Sequence, residues 1–153
     1  MSMSSIGVPL EGFGVYCRAA AAEGAVLLKN EGHMLPLKKE EMVSVFGRCQ
    51  FETYRSGTGS GGAVNVPYAV NIYDGMRESG SFTLNEELAD IYRAWLKDHP
   101  FDNGGGGWAA EPWHQKEMVI TEEIAAAAAE KSEKAIFIIG RTAGEDKDYA
   151  NEA

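Results

Sequence analysis

Cysteine and histidine are scarce in this sequence, and neither residue type forms a cluster. Cys17 and Cys49 are the two cysteines among 153 residues, and the three histidines lie far apart along the chain. A structural zinc site needs a CxxC pair or a close group of Cys and His, so the pattern argues against zinc and we expect no metal. We also expect both cysteines to be reduced and to serve packing.

Basic charge is in short supply as well, since 14 Lys and Arg stand against 23 Asp and Glu and the net charge is −9. Nucleic acids and anionic membranes bind proteins that present a basic surface, so we expect neither as a main partner. No apolar run approaches the roughly 20 residues of a membrane span. The opening stretch "MSMSSIGVPLEGFG" lacks the charged and apolar regions of a signal peptide, which predicts a cytoplasmic protein.

The chain does have the composition of a globular domain with its own core, with 44% hydrophobic residues. Two short apolar runs end in glycine, Met42–Gly47 and Ala135–Gly140, and such runs are typical of strands buried in a parallel sheet. Apolar spacing and capping residues predict helices over Val15–Asn30, within Tyr68–Ser79, after Asn85 and after Thr121. The sequence therefore predicts an α/β fold: a single, partial three-layer sandwich over residues 1–153, with a mainly parallel sheet flanked by helices.

Residues 100–118, "PFDNGGGGWAAEPWHQKEM", interrupt this pattern with four consecutive glycines and two tryptophans. Long connections in compact domains are usually functional or disordered, and the aromatic rings favour an ordered excursion. Trp108 and Trp113 are candidates for stacking on sugar rings, although isolated tryptophans more often anchor packing.

The two strands predict where a ligand would bind, because open α/β sheets bind ligands outside the carboxyl ends of their strands. Residues 48–66 and 141–153 follow those ends and are candidates for one shared site. The first contains "SGTGSGG", which no lysine follows as a phosphate-binding P-loop requires. It has the G-x-G-x-x-G spacing, but the next residues, "AVNVP", predict an extended chain rather than a helix. An anion nest, a flexible turn and a loop that approaches a neutral polar ligand remain open, and we favour the last.

The second loop carries Glu145, Asp146 and Asp148 in "GEDKD". One interpretation is a solvated acidic loop. The other is a set of carboxylates that bond sugar hydroxyls or act as a general acid/base, since glycoside hydrolysis uses two carboxyl groups flanking the scissile bond.

Several motifs together resemble glycoside hydrolase family 3. The stretch "AAAEGAVLLKNEGHMLPL" is similar to the start of the family's α/β sandwich domain, "VSVFG" and "GTGSGG" to its first strand and following loop, and "AIFIIGRTAGEDKD" to a later strand with its Glu-containing loop. The position of the first motif resembles bacterial members with the sandwich before the (β/α)8 barrel, which act as β-glucosidases. The resemblance implies no cofactor.

This resemblance also assigns roles to particular residues. It implies that the nucleophile is an aspartate of a barrel that these 153 residues do not include, and that Glu145 is the one acid/base candidate in the chain. It places a glycine-rich wall beside a sugar pocket, with Arg55, Ser56, Gly57, Thr58, Gly59, Ser60 and Asp148 as substrate-binding residues. Tyr149 stands where the family pattern has an arginine after the aspartate.

We therefore expect a fragment of a retaining β-glucosidase-like hydrolase that is inactive alone and whose partner is a β-glucoside or another small sugar. Two alternatives belong to other classes. The chain is a non-catalytic module that binds a carbohydrate or small polar ligand, or it is a structural fragment that forms a homo-oligomer to cover its exposed edges.

Overall fold

The computed structural model describes residues 10–54, 66 and 68–142. The chain divides into two units, residues 1–36 and residues 37–153. The first unit contains helix α1, Phe13–Glu23, and a single 3-10 turn, Glu31–His33. The second contains the strands and the other helices that the structure describes.

The second unit alternates strands and helices along the chain, as an α/β fold requires. Its elements are β1 (Met42–Phe46), α2 (Ile72–Ser79), β2 (Thr83–Leu84), α3 (Glu86–Asp98), α4 (Glu122–Lys131) and β3 (Lys134–Phe137). The described strands form one sheet in the order β2-β1-β3. Both pairings are parallel, with Val43 opposite Leu84 and Phe46 opposite Phe137. The predicted α/β class with a parallel sheet is confirmed.

β1 lies in the centre of the sheet, and its alternate side chains enter two core clusters. Val43 and Val45 pack with Tyr73, Leu84 and Ala89 in the first cluster. The second cluster contains Phe46 with Leu88, Tyr92, Met118 and Ala128. β1 is thus buried on both faces, as its nearly continuous apolar sequence predicts.

Ser44 is the polar exception within β1, and its hydroxyl is hydrogen-bonded although it is only 1% exposed. It lies 2.7 Å from the hydroxyl of Ser132, and it accepts a hydrogen bond from Asn85 Nδ2 at 2.9 Å. Asn85 also caps α3 by accepting the N–H of Leu88. This small network joins the central strand to the start of α3 and the end of α4, and it satisfies buried groups that would otherwise cost stability.

The helix predictions are confirmed at their capping residues and wrong at several bounds. Asn85 and Thr121 cap α3 and α4 as predicted. The first helix ends at Glu23 rather than at Asn30, because Gly24 follows and glycine is a poor helix former. The Tyr68–Ser79 stretch becomes helical only from Ile72, since Asn71 caps the helix at that point.

Gly47 follows β1 in a backbone conformation that side chains rarely adopt, with φ 98°. A Cβ atom there would lie 2.1 Å from the carbonyl oxygen of Ile138, which belongs to the neighbouring chain segment. Only glycine allows the two segments to approach this closely.

We predict that Gly47→Ala destabilises the chain far more than Gly80→Ala, as measured by urea unfolding. Gly80 also has positive φ, 60°, but a Cβ there would meet nothing within 4 Å. The free energy of unfolding of the control should therefore fall only by the cost of placing alanine in left-handed backbone, about 1–2 kcal/mol. Gly47→Ala adds a backbone clash to that cost. Equal losses in the two variants would contradict the close approach at Gly47.

Candidate functional site

The carboxyl ends of β1 and β3 lie side by side, and the chain segments that follow them remain in contact. The N–H of Ile138 donates to the carbonyl oxygen of Phe46 at 2.8 Å. A Cβ on Gly140 would lie 2.0 Å from Cys49 Sγ and 3.5 Å from the ring of Tyr54. Tyr54 and Gly140 are therefore neighbours, although they lie far apart in the sequence.

The predicted catalytic residue, Glu145, and the predicted substrate-binding residues lie outside the described residues. The latter are Arg55, Ser56, Gly57, Thr58, Gly59, Ser60 and Asp148. Their roles stay predictions. The structure does place the first residues of both predicted loops, residues 48–54 of the first and residues 141–142 of the second. Tyr54 directly precedes Arg55, and Gly140 directly precedes the second loop.

A third segment, residues 99–117, reaches the same edge of the sheet; we call it the 99–117 segment. Trp113 accepts the N–H of Thr142 on its carbonyl oxygen at 3.0 Å. The side chain of Gln115, which is 3% exposed, closes the segment upon itself. Its Oε1 accepts the N–H of Asp102 at 2.7 Å, and its Nε2 donates to the carbonyl oxygen of Asp102 at 2.9 Å and to the hydroxyl of Tyr54 at 3.1 Å.

Trp108 and Trp113 differ in exposure within this segment. Trp108 is 61% exposed, whereas Trp113 is partly buried. The 99–117 segment is held by the hydrogen bonds of Gln115 and by a 3-10 turn at Gly104–Gly106, where the Asn103 side chain accepts the N–H of Gly105. Within residues 100–118, this 3-10 turn is the one regular element, so the stretch does interrupt the alternation of strands and helices.

Arg48 anchors the 99–117 segment from the end of β1. Its side chain is 1% exposed and forms an ion pair with Glu52. The guanidinium also donates to the carbonyl oxygens of His99 and Lys116, each at 2.8 Å. The sequence singles out neither Arg48 nor Gln115 as a site residue. Apart from Glu52, which is four residues from Arg48, their partners lie 13 to 69 residues away and no local pattern reports them.

Two cavities border this edge of the sheet. One, of about 380 Å³, is lined by polar groups of His114, Glu117 and Arg141 and by the apolar side chains of Phe137 and Ile139. The other, of about 360 Å³, lies between the segments at residues 51–53 and 69–71, with Phe101 in its wall. Both are large enough for a small ligand.

Burial changes the acid–base properties of groups at this edge. It raises the pKa of the Cys49 thiol from 9.0 to about 11, and the carboxylate of Glu117 adds to the effect. The folded state therefore retains the thiol proton, so this group contributes stability below about pH 9 that is lost as the pH rises through 11. Burial also raises the pKa of Tyr54. Both groups are protonated at neutral pH, and the thiol is not a nucleophile there.

In the part of the chain that the structure describes, no three acidic, histidine or cysteine side chains are grouped as metal ligands would be. Among the described helices, none has the length and hydropathy needed to cross a bilayer. Both described cysteines are free: Cys49 is buried as expected, while Cys17 is exposed and does not pack into a core.

A parallel α/β sheet with loops gathered at its carboxyl edge defines a class of proteins that bind ligands at that edge. Residues 25–153 match the model of the glycosyl hydrolase family 3 C-terminal domain. The chain therefore belongs to glycoside hydrolase family 3, as its motifs indicate.

Curated relatives and solved structures agree with this assignment. The chain is 50% identical over 132 residues to a β-glucosidase of Ruminococcus albus, covering 86% of this chain and 14% of that protein. It is 67% identical to the crystal structure of a β-glucosidase from Paenibacillus barengoltzii, with a TM-score of 0.92, covering 96% of this chain and 16% of the other.

A more distant structure is that of β-glucosidase 3B from Thermotoga neapolitana in complex with α-D-glucose. It is 33% identical, with a TM-score of 0.77, covering 91% of this chain and 19% of that one. The chain thus spans less than one fifth of the length of each of these relatives.

We predict that a thiol reagent labels Cys17 rapidly in the native chain and labels Cys49 only as the chain unfolds. Cys17 is exposed, whereas Cys49 is 3% exposed and its pKa is raised. Cys17→Ser should remove the fast phase, and Cys49→Ser should leave it intact. Two fast equivalents of label in the native chain would show that the carboxyl edge is open at Cys49.

Proposed function

We propose that this chain forms one side of the sugar site of a retaining β-glucosidase, with Glu145 as the acid/base. The observation that carries the proposal is the proximity of Tyr54 and Gly140, because Tyr54 lies in the first of the two loops to which the family resemblance assigns sugar binding and Gly140 directly precedes the second. The names of the relatives support β-glucosidase activity, and the Thermotoga neapolitana structure holds glucose.

The chemistry requires two carboxyl groups about 5–5.5 Å apart across the scissile bond. Glu145 supplies one of them, protonating the leaving oxygen and then activating water. The family resemblance assigns the nucleophile to an aspartate of the barrel, so the 153 residues alone should not turn over a glucoside. Arg55, Ser56, Thr58, Ser60 and Asp148 bind sugar hydroxyls in this proposal, while Gly57 and Gly59 let the backbone approach the ring.

A chimera tests this proposal directly. We predict that the Paenibacillus barengoltzii β-glucosidase stays active when this chain replaces the matched 16% of its sequence, since the two share 67% identity and a TM-score of 0.92. Glu145→Gln in the chimera should lower kcat/KM for an aryl β-glucoside by about 10²–10⁴-fold. Azide, a nucleophile that needs no general base, should partly restore turnover.

The matched control is Glu130→Gln, which changes an exposed glutamate of α4 in the same way. It should leave kcat/KM unchanged. An active chimera that tolerates Glu145→Gln would rule out the assignment of the acid/base. Turnover by the purified 153-residue chain would contradict the need for a second domain.

A second candidate is self-association of the 153-residue chain, favoured by β3, which lies at the edge of the sheet that the structure describes. Phe137 is 68% exposed on this strand, and Ile139, two residues beyond its end, is 83% exposed. Phe137 also lines a groove of about 300 Å³ beside Ala125 and Ala129 of α4. Parallel strands are normally covered on both faces, so a second copy of the chain would bury this surface.

We predict an oligomer for the isolated chain by light scattering, and a shift toward monomer on Ile139→Lys. A charge at an interface of this kind opposes association, since it would be buried without a partner. Val119→Lys is the control, because Val119 is 81% exposed but is not part of β3 or of the residues that directly follow it. A monomer at high concentration would rule out this candidate.

A further inference from the structure

We propose that Arg48 is a positioning residue for the sugar site: its guanidinium fixes the 99–117 segment and, through it, Tyr54 and Thr142. The inference rests on the proposed function, because these two residues matter as members of the predicted sugar-binding loops, residues 48–66 and 141–153. It assigns no contact with the sugar to Arg48 itself.

The guanidinium holds both ends of the segment at once. Nη2 donates to the carbonyl oxygen of His99, where α3 ends, and Nη1 donates to the carbonyl oxygen of Lys116. The backbone N–H of Arg48 also donates to the carboxylate of Glu117, at 3.0 Å to Oε2. One residue at the end of β1 therefore determines where the 99–117 segment leaves the sheet and where it returns.

The charge of Arg48 is balanced inside the protein. Nε donates to Glu52 Oε2 at 3.0 Å, and Nη2 contacts the same oxygen. The guanidinium carbon lies 5.3 Å from the ring centre of Trp95, which stacks on His99 with 4.1 Å between ring centres. A lysine keeps the charge but lacks the planar fork, so it cannot reach these separate acceptors together.

Two further hydrogen bonds link the 99–117 segment to the predicted sugar-binding loops. Gln115 precedes Lys116 and donates to the hydroxyl of Tyr54 at 3.1 Å. Trp113 accepts the N–H of Thr142 at 3.0 Å. A shift of residues 113–117 would therefore move the residue before Arg55 and a residue three positions before Glu145.

Hydrogen exchange on the 153-residue chain tests the positioning directly. In Arg48→Lys, we expect the amides of residues 99–117 to exchange at least 10-fold faster, while the amides of β1 and β3 keep their protection. Arg77→Lys is the matched control, because Arg77 is half exposed and pairs only locally with Asp74. Equal acceleration throughout the chain would show that Arg48 only stabilises the fold, and would overturn the proposal.

The kinetic test uses the chimera with the Paenibacillus barengoltzii β-glucosidase. Arg48→Lys should lower kcat at least 10-fold with a smaller change in KM, since it misplaces the acid/base rather than removing a sugar contact. A folded Arg48→Lys chimera with unchanged kcat and KM would overturn the proposal. An inactive unsubstituted chimera would count against the proposed function, and the exchange result alone would then decide on Arg48.

Glu52→Gln provides a milder variant in case Arg48→Lys does not fold. It keeps an acceptor oxygen for the guanidinium and removes the ion pair, and the Glu52 side chain is 26% exposed. The same local increase in exchange at residues 99–117 is expected, at reduced size. Unchanged exchange in a folded Glu52→Gln chain would contradict the role of the buried pair.

Discussion

The buried charge of Arg48 is the constraint on which the carboxyl edge of the sheet depends. Breaking a buried ion pair costs about 3–5 kcal/mol, so a guanidinium that is 1% exposed must find its partners within the protein. It finds Glu52, the carbonyl oxygen of His99 and the carbonyl oxygen of Lys116. Satisfying this one side chain ties the end of β1 to both ends of the 99–117 segment.

Two kinds of contact hold the rest of the candidate site together: the hydrogen bonds of Arg48, and close backbone contact between the segments after β1 and β3. Glycine at positions 47 and 140 lets the segments after β1 and β3 touch, because a Cβ at either position would clash with the other segment. Gln115 and Trp113 then join the 99–117 segment to Tyr54 and Thr142. Described segments from three parts of the sequence thus meet at the carboxyl edge of the sheet, which is the edge where open α/β sheets generally bind ligands.

Local patterns in the sequence predict much of the fold. They predict few of the contacts that hold the 99–117 segment at the carboxyl edge of the sheet. The apolar runs of β1 and β3 and the caps at Asn85 and Thr121 depend on neighbouring residues, so sequence reasoning found them. The predicted burial of the second run is wrong, since β3 ends at Phe137 and that residue is 68% exposed. The strand β2 has only two residues and too short an apolar pattern to detect. Arg48 has one partner close in the sequence, Glu52, but its contacts with His99 and Lys116, like those of Gln115 with Asp102 and Tyr54, join distant residues that no spacing rule reveals. The sugar-binding roles came from motif resemblance, and they remain predictions.

The central claim is that the loops after β1 and β3 share one sugar site. The most direct measurement is hydrogen exchange of the chimeric enzyme with and without saturating glucose, read at residues 50–66 and 138–148. The account predicts that glucose slows exchange in both stretches together, and that residues 122–131 of α4, where Ala128 is the one buried residue, show no change. Protection of one loop without the other, or of neither in an active chimera, would contradict it.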